Sequence, residues 1–249
     1  MARTFLIRGM LVGLIAGLLS FCFLKIYGEP QVDRAIAFEA QMDEAKEQFA
    51  HTHGMRVPEE EPELVSRPVQ AGFGLFTAVM VYSAAFGGLF GLAFAVAQGR
   101  MPGELSPRAL SAVLALIGFI AVYLVPNLKY PANPPSVGNP ETIGTRTALY
   151  FGMVGISLVA MVGAASFKRM LLARFDDWNA TLIVAAYYIA VMIAAGLLLP
   201  AVSEVPEEFP AVVLWRFRVA SLGAQFIMWA TLGLLFGALT QRAMTLRRS

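Results

Sequence analysis

Two histidines and a nearby glutamate have the residue types and spacing of a metal site. His51 and His53 both stand in the segment AHTHGM. Glu47 precedes His51 by four residues, so on a helix its carboxylate and the His51 imidazole share one face. Such nitrogen and oxygen ligands suit cobalt, nickel or zinc better than magnesium. The sequence therefore predicts capture of a divalent metal ion here; the alternative is a solvated helix end that binds nothing.

A second group of residues consists of charges that flank the predicted membrane spans. It comprises Glu29, Asp33, Arg67, Lys129, Arg146, Glu204, Arg216 and Arg218. We call this group the outer-mouth network and expect ion pairs within it to hold the loops together. Arg146, Arg216 and Arg218 should each pair with a carboxylate such as that of Glu29, Asp33 or Glu204. A charge gate for a cation is the alternative interpretation.

The composition is that of a membrane protein. Hydrophobic residues make up 57% of the chain and charged residues 14%, against about 25% charged in an ordinary soluble domain. The single cysteine excludes an internal disulfide framework, and the net charge of +2 gives no indication of a nucleic-acid partner. No motif of a nucleotide-binding, hydrolase or metalloprotease enzyme is present.

Six apolar stretches reach the length of about 20 residues that a membrane-spanning helix needs. The predicted fold is an all-α polytopic bundle, one transmembrane domain over residues 1–249. We place the spans near residues 4–27, 69–98, 109–125, 147–167, 178–199 and 211–240. The first is interpreted as an uncleaved anchor helix, and Pro126 is expected to end the third.

The connection over residues 28–66 is too long for a bare loop and is predicted to contain an amphipathic helix. Pro30 fits its start and Gly54 its end. Apolar residues recur at three- and four-residue steps, namely Ala35, Phe38, Met42, Ala45 and Phe49. We expect this helix to lie across the outer mouth of the bundle, and the acidic run at residues 59–63 to be a solvated loop.

Prolines dominate the connection between Lys129 and Arg146, which reads KYPANPPSVGNPETIGTR. Such a segment cannot be helical, and its free carbonyls must meet water, protein groups or an ion. Two interpretations stay open: a rigid surface loop, or a partly re-entrant lip around an access path.

Glycines spaced four residues apart line one face of three spans. They are Gly9, Gly13 and Gly17 in the first span, Gly87 and Gly91 in the second, and Gly233 and Gly237 in the sixth. Such faces allow close helix packing. Ordinary packing is the simpler interpretation; a glycine-lined conduit or a docking face for another helix is the alternative. No charged residue or histidine lies in mid-span, which argues against a self-contained proton-coupled pump.

The sequence resembles the CbtA family over nearly its whole length. The most specific segments are KYPANPP and LWRFR, together with RGMLVGLIAGLL near the start. The resemblance implies a membrane subunit of a probable cobalt transporter linked to cobalamin synthesis, with cobalt(II) as the transported ion rather than a permanently bound cofactor. It also implies a small histidine-rich single-span partner, CbtB. A non-transporting scaffold or assembly subunit is the alternative, and a membrane enzyme is a third.

Charge asymmetry predicts how the chain sits in the bacterial inner membrane. One side, with both termini, carries ten basic and three acidic residues and a net charge of +7. The other side carries nine basic and fourteen acidic residues and a net charge of −5. Because basic residues favour the cytoplasmic side, both termini are expected in the cytoplasm.

This topology predicts the outcome of reporter fusions. Fusions after Arg100 and Ala173 should report a cytoplasmic location, whereas fusions near Gly54 and Gly138 should report the outer side. Activity of periplasmic and cytoplasmic reporters at each site is the measurement. A reporter pattern that inverts at any one of these sites would show that a span is miscounted.

Overall fold

The computed structural model describes residues 2–54, 65–100, 105–135 and 137–246, which are helical for most of their length and contain no strand. Six helices in these ranges are long and apolar enough to cross a membrane. They are α1 (Ala2–Thr52), α2 (Arg67–Ala97), α3 (Pro107–Lys129), α4 (Ile143–Leu171), α5 (Asp177–Leu198) and α6 (Ala211–Thr245). The all-α fold with six spans is confirmed. The acidic run at residues 59–63 lies outside the described residues.

The first span and the helix predicted after it form one continuous helix. An α-helix over Ala2–Phe23 passes through a π turn over Leu24–Gly28 into an α-helix over Glu29–Thr52. Pro30 does not interrupt the helix. Its backbone nitrogen carries no hydrogen, and the wider π turn directly before it accommodates the missing hydrogen bond. With 51 residues, α1 is about 75 Å long, so its second half must extend beyond the bilayer.

The apolar stripe of the extended part of α1 is covered only near its start. Ala35 is fully buried, and the ring of Phe38 meets the ring of Phe209 edge to face at 5.2 Å. Farther along, Phe49 is 57% exposed. The helix itself is present, but the expectation of an apolar face docked across the whole mouth of the bundle is not confirmed.

Backbone-to-backbone contact joins α1 to α2 at their glycines. A Cβ atom on Gly87 would lie 2.2 Å from the carbonyl oxygen of Gly9, and one on Gly13 would lie 2.2 Å from that of Ser83. On α6, a Cβ on Gly233 would lie 2.6 Å from the Cβ of Ala115 in α3. Helices of the same chain therefore fill these faces, so the alternative of a conduit or a docking face for another helix is wrong.

Besides the contact of Ala35 and Phe38 with Phe209, two hydrophobic cores lie between the described helices. Phe5, Phe90, Phe94 and Phe236 form an aromatic cluster between α1, α2 and α6, with ring centroids 5.1–6.3 Å apart. A second core lies between α4 and α5, where the hydroxyls of Ser157 and Tyr188 are hydrogen-bonded at 2.7 Å. The end of α3 packs on α4 and so connects the helices around the first core with those around the second.

The third helix does not end where the sequence predicts. It continues past Pro126 to Lys129, so the predicted boundary is wrong. A π turn over Phe119–Leu124 comes just before the proline, and such wider turns are where a helix adjusts to an interrupted hydrogen-bond ladder.

The α1–α2 contact predicts a specific sensitivity to added volume. Gly87→Ala should lower the free energy of unfolding by about 1–3 kcal/mol, because the new Cβ must push the Gly9 backbone away. Thermal unfolding of the purified chain in detergent measures the effect. Gly155→Ala in α4 is the matched control, since nothing lies within 4 Å of a Cβ added there; equal melting temperatures for the two variants would contradict the prediction.

Candidate functional site

A large cavity opens at one end of the bundle. We call this end the loop face; it is formed by the connections at residues 130–135, 137–139 and 199–210 and by the extended part of α1. The loop-face cavity has a volume of about 910 Å³. Its charged lining residues are Lys129 from α3, Arg146 from α4, Arg218 from α6 and Glu204 from the connection between α5 and α6. The sequence-predicted outer-mouth residues thus converge in part on this cavity.

Glu204 ties the proline-rich connection to the next loop. Its carboxylate accepts hydrogen bonds from the Thr142 hydroxyl at 2.6 Å and from the Asn139 backbone N–H at 2.8 Å. The Nε of Arg146 lies 3.3 Å from the same carboxylate. These two donors, followed by the arginine charge, hold the pKa of Glu204 below its ordinary value. Glu204 is therefore an ionised structural anchor of the cavity wall.

Arg218 reaches from α6 to the proline-rich connection. Its Nε donates to the Ala132 carbonyl at 3.3 Å, and its Nη2 donates to the Asn133 side-chain oxygen at 2.8 Å. Both acceptors are neutral, and no carboxylate among the described residues pairs with this arginine. The expected ion pair of Arg218 is therefore replaced by neutral contacts to the loop.

A second charged cluster fastens α1 to α2 outside the cavity. The Nη2 of Arg67 lies 2.5 Å from Glu29 and 2.8 Å from Asp33, and its Nε also donates to Asp33 at 3.1 Å. The Glu29 side chain is only 11% exposed. Three of the predicted outer-mouth residues thus meet at the point where α1 leaves the bundle.

The two remaining outer-mouth residues form no ion pair with described residues. Arg216 is exposed beside Trp215 at the start of α6, away from the loop-face cavity, so the expected carboxylate partner is not found. Lys129 lines the cavity, with its Nζ 5.9 Å from the centre of the Tyr130 ring.

The predicted metal ligands do not assemble into a site within the described part of the chain. No group of three or more histidine, cysteine or acidic side chains there could hold a metal ion. His53 ends the helix; its ring stacks on Phe49 with centroids 4.0 Å apart, and its Nδ1 lies 2.9 Å from the Phe49 carbonyl oxygen. His51 is exposed. The three predicted ligands are therefore not grouped around one point in the described structure, and metal binding by them stays a prediction.

A second cavity lies between α2, α3, α4 and α6. Its volume is about 770 Å³, and its lining is apolar and aromatic, with no charged residue. Within the described ranges, the Oε1 of Gln225 and the Nε1 of Trp229 are buried without a hydrogen-bond partner. Unpaired polar atoms in such surroundings cost free energy, so they favour a guest that supplies a donor or an acceptor.

Three aromatic residues belong to both cavities. Tyr123, Tyr150 and Phe151 line the loop-face cavity and the apolar cavity alike. The hydroxyl of Tyr123 is hydrogen-bonded to that of Ser221 at 2.8 Å, which fixes the ring against α6. An aromatic partition therefore separates a charged compartment from an apolar one.

Sequence reasoning missed the small polar residues that build the cavity wall. Asn133, Asn139 and Thr142 supply the hydrogen bonds that hold Arg218 and Glu204 in place. A signal was available, since Asn-Pro pairs favour the start of a turn and here occur twice, in NPP and NPET.

The fold and the cavities together define a polytopic membrane protein with a charged cavity at one end and an apolar cavity between its helices. The chain belongs to the CbtA family, described as a probable cobalt transporter subunit, which it matches over residues 2–241. The resemblance drawn from the sequence is thereby confirmed, and the chain is a membrane transporter subunit. The word subunit implies a partner in a transporter complex. No curated protein and no solved structure matches the chain.

The Arg67 cluster predicts a difference between two arginines of the loop face. Arg67→Ala should lower the free energy of unfolding by about 1–3 kcal/mol, because it leaves the largely buried Glu29 carboxylate unpaired. Arg216→Ala should have little effect, since that side chain is exposed. Yield of folded protein and thermal unfolding in detergent measure both variants. A larger loss with Arg216→Ala than with Arg67→Ala would refute the assignment.

Proposed function

We propose that this chain is the membrane-embedded subunit of a cobalt(II) transporter in the bacterial inner membrane, linked to cobalamin synthesis. The observation that carries the proposal is the match to a probable cobalt transporter subunit over residues 2–241. Six membrane-crossing helices around two cavities are the architecture such a role needs. Transport at this site requires no covalent chemistry, so the chain is proposed to act without catalysis.

The proposed path runs from the loop face into the bundle. Cobalt(II) enters the loop-face cavity, passes the partition of Tyr123, Tyr150 and Phe151, and reaches the apolar cavity beside Gln225. The two cavities share this partition, and the side-chain oxygen of Gln225 has no partner among the described residues. A bare divalent ion is costly in an apolar compartment, so occupancy there must be brief or shared with further ligands.

A partner is proposed to supply those ligands. The described part of this chain has no three-ligand group of histidine, cysteine or acidic residues, and no charge lines the inner cavity. A small single-span protein rich in histidine, like CbtB, would bring the missing imidazoles. His51, exposed and on the same helix face as Glu47, is placed to share a metal ion with such a partner.

The orientation is part of the proposal. Both termini lie in the cytoplasm, so the loop face looks outward and meets the ion first. The net charges of +7 and −5 on the two sides support this orientation.

Cobalt uptake tests the proposed function. Cells that express this chain with its partner should accumulate radioactive cobalt above the level of cells that lack either protein. His51→Ala should reduce uptake severalfold, because it removes the imidazole proposed to bind the metal ion together with the ligands of the partner. Gln41→Ala, which changes an exposed neutral side chain of the same helix about 15 Å from His51, is the matched control.

Two results would overturn parts of this proposal. Uptake that is unchanged when this chain is deleted while its partner remains would leave a scaffold or assembly role in its place. Full uptake by the chain alone in liposomes would remove the partner from the account.

A further inference from the structure

We propose that the loop-face cavity binds a small oxyanion, a carboxylate or a phosphate, through Lys129 and Arg218. The inference goes beyond the proposed function, whose cargo is a cation. It depends on the charge balance of the cavity, the fixed position of Arg218, the second cation at Lys129 and the size of the cavity.

The charge balance of the cavity is positive. Lys129, Arg146 and Arg218 line it, and Glu204 is its acidic lining residue. Glu204 is already occupied by the Thr142 hydroxyl, the Asn139 N–H and the nearby Arg146 guanidinium. One arginine is therefore neutralised within the wall, and the other two cations have no carboxylate partner among the described residues.

Arg218 is held in place without being neutralised. Its two hydrogen bonds go to the carbonyl of Ala132 and the side-chain oxygen of Asn133, which orient the guanidinium but leave its charge uncompensated. A guanidinium has more N–H donors than these two bonds use. Its planar arrangement of donors fits the paired oxygens of a carboxylate or phosphate.

Lys129 adds a second, differently shaped cation. It stands at the end of α3, half-buried, and it donates no hydrogen bond to any residue in the described ranges. The neighbouring Tyr130 ring is buried, and its hydroxyl donates to the Pro200 carbonyl at 2.8 Å. The ring beside the ammonium is thus held in place, and a bound anion would meet the Lys129 ammonium and the Arg218 guanidinium in one cavity.

The size of the cavity fits a small anion with its water. A volume of about 910 Å³ lies in the upper part of the range of about 300–1,000 Å³ for ligand pockets. The oxyanion can come from the aqueous phase, as inorganic phosphate or a small carboxylate such as citrate, or from a phospholipid headgroup at the membrane surface. The recognition chemistry is the same in each case.

Calorimetric titration of the purified full chain in maltoside detergent tests the proposal, with inorganic phosphate and citrate as probes at constant ionic strength. Saturable binding of at least one anion is expected. Lys129→Gln and Arg218→Gln should each weaken it about tenfold or more, the size expected for losing a charge-assisted contact. Arg216→Gln is the matched control, because it removes the same charge from the same helix outside the cavity, and it should bind like the parent chain.

Nanodiscs of phosphatidylglycerol distinguish the two sources. If binding of phosphate or citrate disappears in these nanodiscs, the site belongs to a lipid phosphate. If binding is unchanged, the site belongs to a soluble anion. Arg218→Gln also removes contacts to the loop; if it does not fold, Lys129→Gln decides, since it loses no hydrogen bond to the described chain. Absence of saturable binding, or an equal loss in Arg216→Gln, would overturn the proposal.

Discussion

The close contact between α1 and α2 is the constraint on which the rest of the structure depends. In a bilayer, helices gain little from the hydrophobic effect on association, so direct packing has to hold them together. Here a Cβ atom on Gly87 would lie only 2.2 Å from the carbonyl oxygen of Gly9, so the contact leaves no room for a side chain. Because this contact fixes α1 against α2, it also fixes where α1 leaves the membrane, and it brings Glu29 to Arg67 at that point.

The arrangement of the loop face depends on the point where α1 leaves the membrane. The extended part of α1 places Phe38 on Phe209 of the last connection, while Glu204 of the same connection binds Asn139 and Thr142 ahead of α4. Segments distant in the chain are thereby joined around one cavity. The acidic groups at these joints are used in holding the loops, so the charge left facing the cavity is that of Lys129 and Arg218.

The six spans could be predicted because an apolar run of membrane length admits few alternatives. The boundaries at Pro30 and Pro126 could not, since proline normally ends or kinks a helix and nothing in the sequence announces a π turn beside it. The sequence also did not show which groups the arginines contact. Arg67 pairs with Glu29, 38 residues away in the chain, whereas Arg218 donates hydrogen bonds to neutral groups of the loop. Side-chain direction was hidden too: the His53 ring lies on Phe49, which residue spacing does not determine.

A positively charged cavity next to an uncharged one has a direct consequence for a transporter of a divalent cation. Neither compartment stabilises such an ion by itself: Lys129 and Arg218 repel it, and the inner cavity offers only neutral groups such as Gln225. Negative or neutral ligands must therefore accompany the ion, and in the proposed function they come from the histidines of a partner. An oxyanion at Lys129 and Arg218 would lower the repulsion at the same place. In the proposed function this chain therefore contributes the two cavities, and the ligands that bind the ion come from its partner.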